Sequence, residues 1–319
     1  MKITMYKNGK KIRIAAGLND LCYFKFPAGE FGFDVNFVRE VNSQYMGDGT
    51  NQNYSLLIQS NDLGKSDDII KIMLVSDALK RRYPFWKQHL FIPYFPYGRQ
   101  DRICNNGEPL SVKVIADIIN SANFEIVFTM DDHSDVIGAL LNNHVQLLPE
   151  DFFYDSQNQY GKNKTVWLEF YEKDLKKKND VVIISPDAGS LKKCFRISKK
   201  YKGVPVVRAD KIRDTKTGDI IGTMIYDDVD GKNCIIIDDI CDGGRTFIEL
   251  AKVLKEKGAK RVALYVTHGI FSKGFDVFDG IIDEIYTTDS SPVARGDVPK
   301  NVHIRKIDID DIDELKWGN

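Results

Sequence analysis

The segment 234–260 contains residues that could bind a ligand, and they lie between an apolar run and a helical pattern. In order along the chain they are Asp238, Asp239, Asp242, Gly243, Gly244, Arg245 and Thr246. A glycine-bearing loop that opens a helix presents backbone N–H groups and the positive end of the helix dipole, and both attract phosphate. Two adjacent carboxylates can accept hydrogen bonds from vicinal hydroxyls. The spacing therefore predicts a site that holds a phosphate and a diol one sugar apart.

The residues after this loop carry the signal of a helix. Apolar side chains recur at helical spacing from Phe247 to Leu254, Thr246 and Glu249 predict a capping box at its start, and Gly258 predicts its end. The adjacent aspartates alone would equally fit an acidic strand end before an ordinary turn. The complete pattern of strand, carboxylates, glycine loop and helix favours a site for ribose 5-phosphate.

The elements that must position this site alternate between strand-like and helical patterns, which predicts an α/β fold with mainly parallel sheets flanked by helices. Strands are predicted at 55–60, 89–94, 125–129, 145–148, 181–185, 204–207, 233–237, 261–266 and 283–287. Helices are predicted at 67–82 and 109–122, and a β-hairpin at 218–233.

The length of 319 residues predicts two tandem domains. We place the first at 1–152 and the second at 153–299, with a tail from about 300 to 319 that packs back on the first. A polar, lysine-rich stretch at 154–180 follows this boundary and separates the two halves, and its charges fit a solvated helix face better than a binding tail.

The overall composition excludes several classes of partner. Lys and Arg number 45 against 46 Asp and Glu, so the whole chain has no field that would attract nucleic acid or an anionic membrane. The five cysteines are scattered without a C-x-x-C pair, which favours a reducing cytoplasm. No apolar run approaches the roughly 20 residues of a membrane span.

The loop at 238–246 resembles the phosphoribosyl-pyrophosphate loop of phosphoribosyltransferases and ribose-phosphate pyrophosphokinases. The resemblance implies two domains of the type I phosphoribosyltransferase fold, and it assigns ribose 5-phosphate to the seven loop residues named above. The usual ending Asp-Thr-Gly-Gly-Thr is replaced here at two positions. Gly243 lacks a hydroxyl that could contact phosphate, and Arg245 stands where glycine is usual. Arg245 either adds a charge to the site or points to water.

A second segment distinguishes the two families. The run FIPYFPYGRQDR at 91–102 resembles the ATP-site signature of ribose-phosphate pyrophosphokinases, which transferases lack, and the resemblance extends over most of the chain. It implies that Arg99, Gln100 and Arg102 contact ATP. Without the resemblance, the same run would be a basic surface turn after a strand. After Arg102 the family continues with several arginines, whereas this chain reads ICNNGEPL.

Two further motifs imply metal-bound ATP. FTMDDHSD at 128–135 is similar to the family's T-x-D-x-H segment, so the resemblance gives His133 a role at the metal and the ATP phosphates. SPDAG at 185–189 matches S-P-D-x-G, which implies that Asp187 is a Mg²⁺ ligand, as suits a hard oxygen donor. A structural histidine and a helix N-cap are the respective alternatives.

Two segments complete the resemblance. ADKIRD at 209–214 precedes the predicted hairpin and matches the family's catalytic loop, which implies that Lys211 and Arg213 are catalytic cations. FPAGE at 26–30 is similar to the F-x-(Asp or Asn)-G-E that reaches the adenine of a neighbouring subunit. Phe26 and Glu30 are thus implied ATP contacts, and the chain is expected to form a dimer-based homo-oligomer, possibly a hexamer.

The resemblance implies a magnesium-dependent reaction in which the anomeric hydroxyl of ribose 5-phosphate attacks the β-phosphorus of ATP and AMP leaves. His133, Lys211 and Arg213 would be catalytic. A phosphoribosyltransferase would explain the loop but not the ATP-site signature. A noncatalytic regulatory subunit would be favoured by a broken catalytic loop, yet Lys211, Arg213, His133 and Asp187 are all present.

Overall fold

The computed structural model describes residues 1–7, 10–15, 22–34, 54–61, 66–150, 180–200, 203–213, 220–291, 298–305 and 307. The chain divides into two compact units, here called unit 1, within 1–147, and unit 2, within 148–307. The predicted boundary at 152/153, nearly all of the polar stretch that follows it and the tail after 307 lie outside the described residues. The domain limits therefore stay a prediction.

Unit 1 is built on one main sheet. Its strands are β1 (Lys2–Lys7), β2 (Lys10–Ala15), β5 (Tyr54–Gln59), β6 (Lys87–Ile92), β7 (Ile126–Met130) and β8 (His144–Leu147). They lie in the order β2-β1-β5-β6-β7-β8. Strands β5 to β8 are parallel, and β1 runs antiparallel to both β2 and β5. A separate antiparallel hairpin consists of β3 (Cys22–Lys25) and β4 (Phe31–Asp34).

The helices of unit 1 are α1 (Ser66–Arg82), α2 (Ser111–Ser121) and α3 (Val136–Leu140). Their apolar faces pack on the parallel strands in one core, where Ile58, Val75, Leu90 and Val112 are fully buried. Because β6 is covered on both faces, its sequence is a continuous apolar run from His89 onward, as expected for a parallel strand.

Unit 2 repeats this design. Its strands are β9 (Val181–Ser185), β10 (Val206–Arg213), β11 (Ile220–Ile225), β12 (Asn233–Cys241), β13 (Arg261–Gly269), β14 (Glu284–Thr288) and β15 (Val302–Arg305). They form a sheet of order β11-β10-β9-β12-β13-β14-β15, in which all neighbours pair in parallel except β11, which is antiparallel to β10. The helices are α4 (Leu191–Lys200) and α5 (Arg245–Glu256), followed by a 3-10 turn at Asp276–Phe278.

The predicted α/β alternation is confirmed, but several details of it were wrong. The hairpin is formed by β10 and β11, not by two strands within 218–233, because β12 pairs in parallel with β9 and β13. Lys211 and Arg213 thus lie in the first strand of that hairpin instead of preceding it. The short strands β1 to β4 and β15 were missed, since each is too short or too polar to show a period. No helix in the described part of the chain has the length and apolarity of a membrane span.

Candidate functional site

The glycine loop joins the carboxyl end of β12 to the first turn of α5. Gly244 is the residue before the helix and has φ of 79°. A Cβ on Gly244 would lie 2.4 Å from Cζ of Phe278, so the ring of Phe278 occupies the place where a side chain would be. Position 244 therefore requires glycine on two grounds, its left-handed backbone and the close approach of an aromatic ring.

The helix begins two residues earlier than the capping box predicts. α5 starts at Arg245, and its N-cap residue is Gly244, which has no side chain to cap the helix. The expected pair of Thr246 and Glu249 is therefore wrong, because Thr246 already lies inside the helix. Gly258 does end the helix region with φ of 86°, as predicted. The uncapped start leaves N–H groups for a ligand.

Those N–H groups lie at residues 243–246. Among the described residues, none of the four has a backbone acceptor, since the first bonds of the helix run from Phe247 N and Ile248 N to Gly244 O. Four successive amides at a helix start form the kind of cradle that binds phosphate. That these amides hold the phosphate group stays a prediction.

The paired carboxylates lie within β12, which is longer than predicted. Asp238 Oδ1 accepts hydrogen bonds from Ser190 Oγ at 2.5 Å and from the backbone N of Asp239 at 2.9 Å. Asp239 is only 9% exposed, and its Oδ1 lies 3.9 Å from Nζ of Lys193 on α4. The two acids are therefore held from one side by the N-terminal part of α4.

Burial and the neighbouring charge of Asp239 raise the pKa of Asp238 from 3.8 to about 8. Lys193 and the hydroxyl of Ser190 act in the opposite direction, since each favours the ionised form. Asp238 can consequently hold a proton near neutral pH. Such a pair can donate one hydrogen bond and accept others, which suits a diol.

Sequence reasoning missed Ser190 and Lys193. Lys193 is 9% exposed although it lies in a helix whose sequence, LKKCFRISKK, has several other basic residues. The available signal was its position: Lys193, Cys194 and Ile197 share the buried face of α4. A lysine among buried residues needs an anionic partner, and the nearest strand end carries two.

Asp187 lies in the turn between β9 and α4. Its Oδ1 accepts the backbone N–H groups of Gly189 at 2.9 Å and Ser190 at 3.3 Å, and Ser185 Oγ donates to its carbonyl at 2.7 Å. The carboxylate thus shapes the turn that also places Ser190 against Asp238. Within the described residues, no group of three or more His, Cys, Asp or Glu side chains could hold a metal ion.

The remaining loop residues differ in exposure. Asp242, Gly243 and Thr246 are partly buried around the loop. The side chain of Arg245 is 86% exposed, with Nε 3.8 Å from Glu249 Oε1 one helical turn onward. The position of Arg245 favours the alternative in which its side chain points to water.

The two predicted catalytic cations lie on one strand of unit 2. Lys211 pairs with Thr223 and Arg213 with Ile220 across the antiparallel ladder between β10 and β11, with a register shift between Ile212 and Arg213. Both positions therefore lie in this ladder, and their role as catalytic cations stays a prediction.

The ATP-site signature of unit 1 follows β6 as a series of turns. Tyr97 has φ of 59°, and a Cβ on Gly98 would lie 3.0 Å from Cδ1 of Ile137. Gln100 N donates to Tyr97 O at 3.0 Å and Val112 N to Gln100 O at 3.4 Å, which ties the segment to the start of α2. The backbone is fixed by packing, as a binding loop on a rigid scaffold requires.

The side chains of this segment project outward. Arg99, Gln100 and Arg102 are exposed, and Arg102 Nε lies 3.2 Å from Asp101 Oδ1. The following turn is shaped by Glu108, which accepts the backbone N–H groups of Cys104 and Asn105 at 3.1 and 3.0 Å. Exposed guanidinium groups on a fixed turn can receive a polyphosphate.

His133 lies in the turn after β7 and is exposed. The turn is braced beneath it: Thr129 Oγ1 donates to Asp132 Oδ2 at 2.9 Å, and His144 Nε2 lies 3.2 Å from the same oxygen. Asp131, with φ of 41°, makes the sharp bend between strand and turn. His133 is therefore held out from the strand end by a buried polar network.

Phe26 and Glu30 lie at the tip of the β3–β4 hairpin. Phe26 N donates to Glu30 O at 2.8 Å, which closes the turn, and the ring of Phe26 is 48% exposed. It packs edge to face on Phe24, with ring centroids 5.0 Å apart. An exposed aromatic pair at a hairpin tip is available to a ligand or to another chain.

Comparison with known families gives matches in both halves of the chain. The model described as the N-terminal domain of ribose phosphate pyrophosphokinase matches residues 39–122. The model described as the phosphoribosyl transferase domain matches residues 154–279. The second range contains the carboxylates, the glycine loop and the β10–β11 hairpin.

Comparison with individual proteins agrees. A ribose-phosphate pyrophosphokinase of Ralstonia nicotianae is 34% identical over 79% of this chain and 74% of its own length. One from Hyphomonas neptunium is 30% identical over 79% of this chain and 76% of its own. Among solved structures, phosphoribosylpyrophosphate synthetase from Mycobacterium smegmatis matches with a TM-score of 0.69 at 22% identity, covering 90% of this chain and 86% of that one. Together with the two family models, the last comparison confirms the predicted fold of two phosphoribosyltransferase-like domains.

Proposed function

The chain belongs to the ribose-phosphate pyrophosphokinase family, and from that membership we propose that it transfers the pyrophosphoryl group of ATP to the anomeric hydroxyl of ribose 5-phosphate. The products are phosphoribosyl pyrophosphate and AMP. The observation that carries the proposal is the combination in unit 2 of a helix start with a glycine N-cap and a carboxylate pair in which Asp239 is buried and Asp238 has a raised pKa. A phosphate and a diol on the same small molecule satisfy both.

The acceptor sugar binds to unit 2 in this proposal. The amides of residues 243–246 receive the 5-phosphate, and Asp238 and Asp239 receive the ribose hydroxyls. Asp242 and Thr246 flank the phosphate, while the exposed side chain of Arg245 contributes less. Support comes from the uncapped helix start and from the hydrogen bonds that preset Asp238.

The donor nucleotide binds to unit 1. Arg99, Gln100 and Arg102 receive the ATP phosphates, because exposed guanidinium groups on a rigid turn match polyphosphate oxygens. His133 contributes from the end of β7. Phe26 and Glu30 contact adenine from a hairpin tip that belongs to a neighbouring copy, so we propose a dimer-based homo-oligomer. The exposed aromatic pair at that tip supports this assignment.

The residues present fit a Mg²⁺ ion that arrives with the nucleotide. Mg²⁺ is usually held by one or two carboxylates plus substrate phosphates and keeps several waters, so it does not require a cage of protein ligands. Asp187 would supply a hard oxygen ligand, and His133 would act at the metal-bound phosphates of ATP. The ion would supply charge neutralisation on the transferred group. The Asx-type turn that orients Asp187 supports its assignment as a ligand.

The chain's own residues then act by position and charge. The loop holds the sugar with its anomeric hydroxyl directed at the β-phosphorus for in-line attack, and Lys211 and Arg213 stabilise the oxyanion charge that develops. Their positions on one strand, β10, support a joint role. AMP leaves with the electrons of the broken phosphoanhydride bond.

We place this activity in a reducing cytoplasm. In the described part of the chain Cys104, Cys194, Cys234 and Cys241 are free thiols. Burial raises the pKa of Cys234 and of Cys241 to about 12, which keeps both protonated and unreactive. Free buried thiols are typical of proteins that are not exposed to an oxidising environment.

The test is an assay of AMP and phosphoribosyl pyrophosphate formed from ATP, ribose 5-phosphate and Mg²⁺. Lys211→Ala should lower kcat by about 100-fold or more, because it removes a transition-state cation, and should leave ribose 5-phosphate affinity within about threefold. Lys199→Ala, which removes an exposed lysine of α4, is the matched control. A folded wild-type chain that forms no AMP, or that instead consumes phosphoribosyl pyrophosphate with a base, would exclude the proposal.

A further inference from the structure

A lysine outside the recognised motifs lies against the glycine loop. A Cβ on Gly243 would lie 3.5 Å from Cε, 3.6 Å from Cδ and 3.9 Å from Cγ of Lys273. The aliphatic stem of Lys273 thus passes over the loop at the position where the family usually has threonine. Because Cε is the nearest carbon, the ammonium group lies one bond beyond the point of closest approach.

The turn that carries Lys273 is fixed to the loop. Ile270 N and Phe271 N both donate to Cys241 O, at 2.8 and 3.1 Å, immediately before the loop. Gly274 N donates to Phe271 O at 2.8 Å and closes a turn with Lys273 near its tip. Phe271 in turn packs edge to face on Phe278, the ring that occupies the side-chain position of Gly244.

The charge of Lys273 is available for a ligand. Lys273 is exposed, and no carboxylate in the described ranges forms an ion pair with its ammonium group. The other cation of the loop, Arg245, is 86% exposed and directed toward Glu249. Lys273 is therefore the cation whose stem the structure places directly on the cradle of amides.

We propose that Lys273 binds the 5-phosphate of the sugar substrate and replaces the hydroxyl that is missing at Gly243. The proposal rests on the proposed function, since it assigns a further ligand to the same phosphate. Glycine at 243 is needed for this arrangement, because the side-chain atoms of a threonine there would extend into the volume now filled by the side chain of Lys273. The charge of the lysine sits where the hydroxyl would otherwise reach.

The test compares substrate affinities of Lys273→Ala and Lys273→Gln with wild type. Both variants should raise the KM and the calorimetric Kd for ribose 5-phosphate about tenfold, because a charge-assisted contact to phosphate is lost. The KM for ATP should stay within about twofold. Lys273→Arg should stay within about threefold of wild type, since guanidinium also binds phosphate.

Lys252→Ala is the matched control, because Lys252 is an exposed lysine on α5 that lies beyond the first turn of the helix. Inorganic phosphate gives a second readout: as a competitor of ribose 5-phosphate, it should bind wild type about fivefold more tightly than Lys273→Ala. Lys252→Ala and Lys273→Ala each alter an exposed side chain, and circular dichroism checks that both variants fold.

Two results would overturn the assignment while leaving the proposed function intact. One is an active wild type whose Lys273→Ala and Lys273→Gln variants keep the same Kd for ribose 5-phosphate. The other is an equal loss of affinity in Lys252→Ala, which would indicate general electrostatics. A wild-type chain that does not bind ribose 5-phosphate would instead overturn both proposals.

Discussion

The two turns that carry the candidate ligand groups are built in opposite ways. In unit 2 the loop after β12 turns inward: Gly244 abuts the ring of Phe278, and Asp239 is 9% exposed. In unit 1 the segment after β6 turns outward: its backbone is packed, but Arg99 and Arg102 are exposed. In the proposal, ribose 5-phosphate would meet backbone amides and carboxylates of unit 2. ATP would meet the ends of long cationic side chains of unit 1.

In unit 2 the same groups would serve both ligand binding and folding. In unit 1 the groups that would bind the ligand contribute little to folding. Groups that are buried in the native state contribute to its stability, so changing them alters binding and unfolding together. Exposed arginine side chains contribute little to stability, so changing them alters binding alone. Substitutions in the two turns can show whether this contrast holds.

The largest effect is expected from the substitution Gly244→Ala in the inward-built loop of unit 2. The new Cβ would lie 2.4 Å from Phe278 in a backbone with φ of 79°, so both the helix start and the ring must shift. We expect the free energy of unfolding to fall by about 2 kcal/mol and the affinity for ribose 5-phosphate to fall about 100-fold. Thermal unfolding and calorimetry measure the two effects.

Gly243→Ala is the control for stability, because its Cβ would meet Lys273 at an ordinary 3.5 Å and Gly243 does not have a left-handed backbone. It should change the free energy of unfolding by less than about 0.5 kcal/mol. If Gly244→Ala unfolds like wild type, the loop is not held by Phe278 and the inward-built description is wrong.

Sequence reasoning found the central strands of both sheets because they are continuous apolar runs. It missed β1 to β4 because each is a short strand whose pairing partner, not its own pattern, makes it a strand. The hairpin was misplaced for a related reason: β10 continues past the predicted strand end at 207 into a polar stretch, and only its pairing with β11 shows that this stretch is a strand.

The site shows the same limit. The glycine loop and the carboxylates were predictable because their spacing is local in the chain. Ser190 and Lys193 were not, since they reach Asp238 and Asp239 from a helix about 50 positions earlier. Lys273 reaches Gly243 through the fold in the same way. Local motifs indicate the chemistry, and packing decides which additional side chains take part in it.

A second prediction concerns pH. The pKa of Asp238 is raised from 3.8 to about 8, so between these values the native chain holds a proton that the unfolded chain has released. The free energy of unfolding should therefore fall as the pH rises from about 5 to about 8, with a slope that reaches at most about 1.4 kcal/mol for a tenfold fall in proton concentration. Asp238→Asn, which has no such proton, should flatten this slope.

Chemical denaturation at a series of pH values measures the slope for both chains. Asp227→Asn is the control, since Asp227 is exposed in the segment before β12. Equal slopes for wild type and Asp238→Asn would mean that the carboxylate pair is ionised in the native state and that its burial does not control its charge.

A smaller and more selective effect is expected from the outward-built turn. Arg99→Ala should raise the KM for ATP about tenfold, because one cationic contact to the phosphates is lost. The melting temperature should not change, since an exposed side chain contributes less than about 0.5 kcal/mol. Arg81→Ala, which alters an exposed arginine on α1, is the matched control. If Arg99→Ala lowered the melting temperature as much as Gly244→Ala does, the two turns would not differ in how they link binding to stability.

The smallest effect is expected where an exposed side chain belongs to the inward-built loop. Arg245 contributes its backbone N–H to the amide cradle, but its side chain is 86% exposed and directed toward Glu249. Arg245→Ala keeps the amide and removes the charge, so the KM for ribose 5-phosphate should change by less than about twofold. Steady-state kinetics at low ionic strength, where charge effects are largest, is the most demanding measurement. A tenfold rise in this KM would mean that the exposed side chain of Arg245 binds the sugar phosphate. Burial would then not distinguish the groups of the loop that bind the sugar from the others.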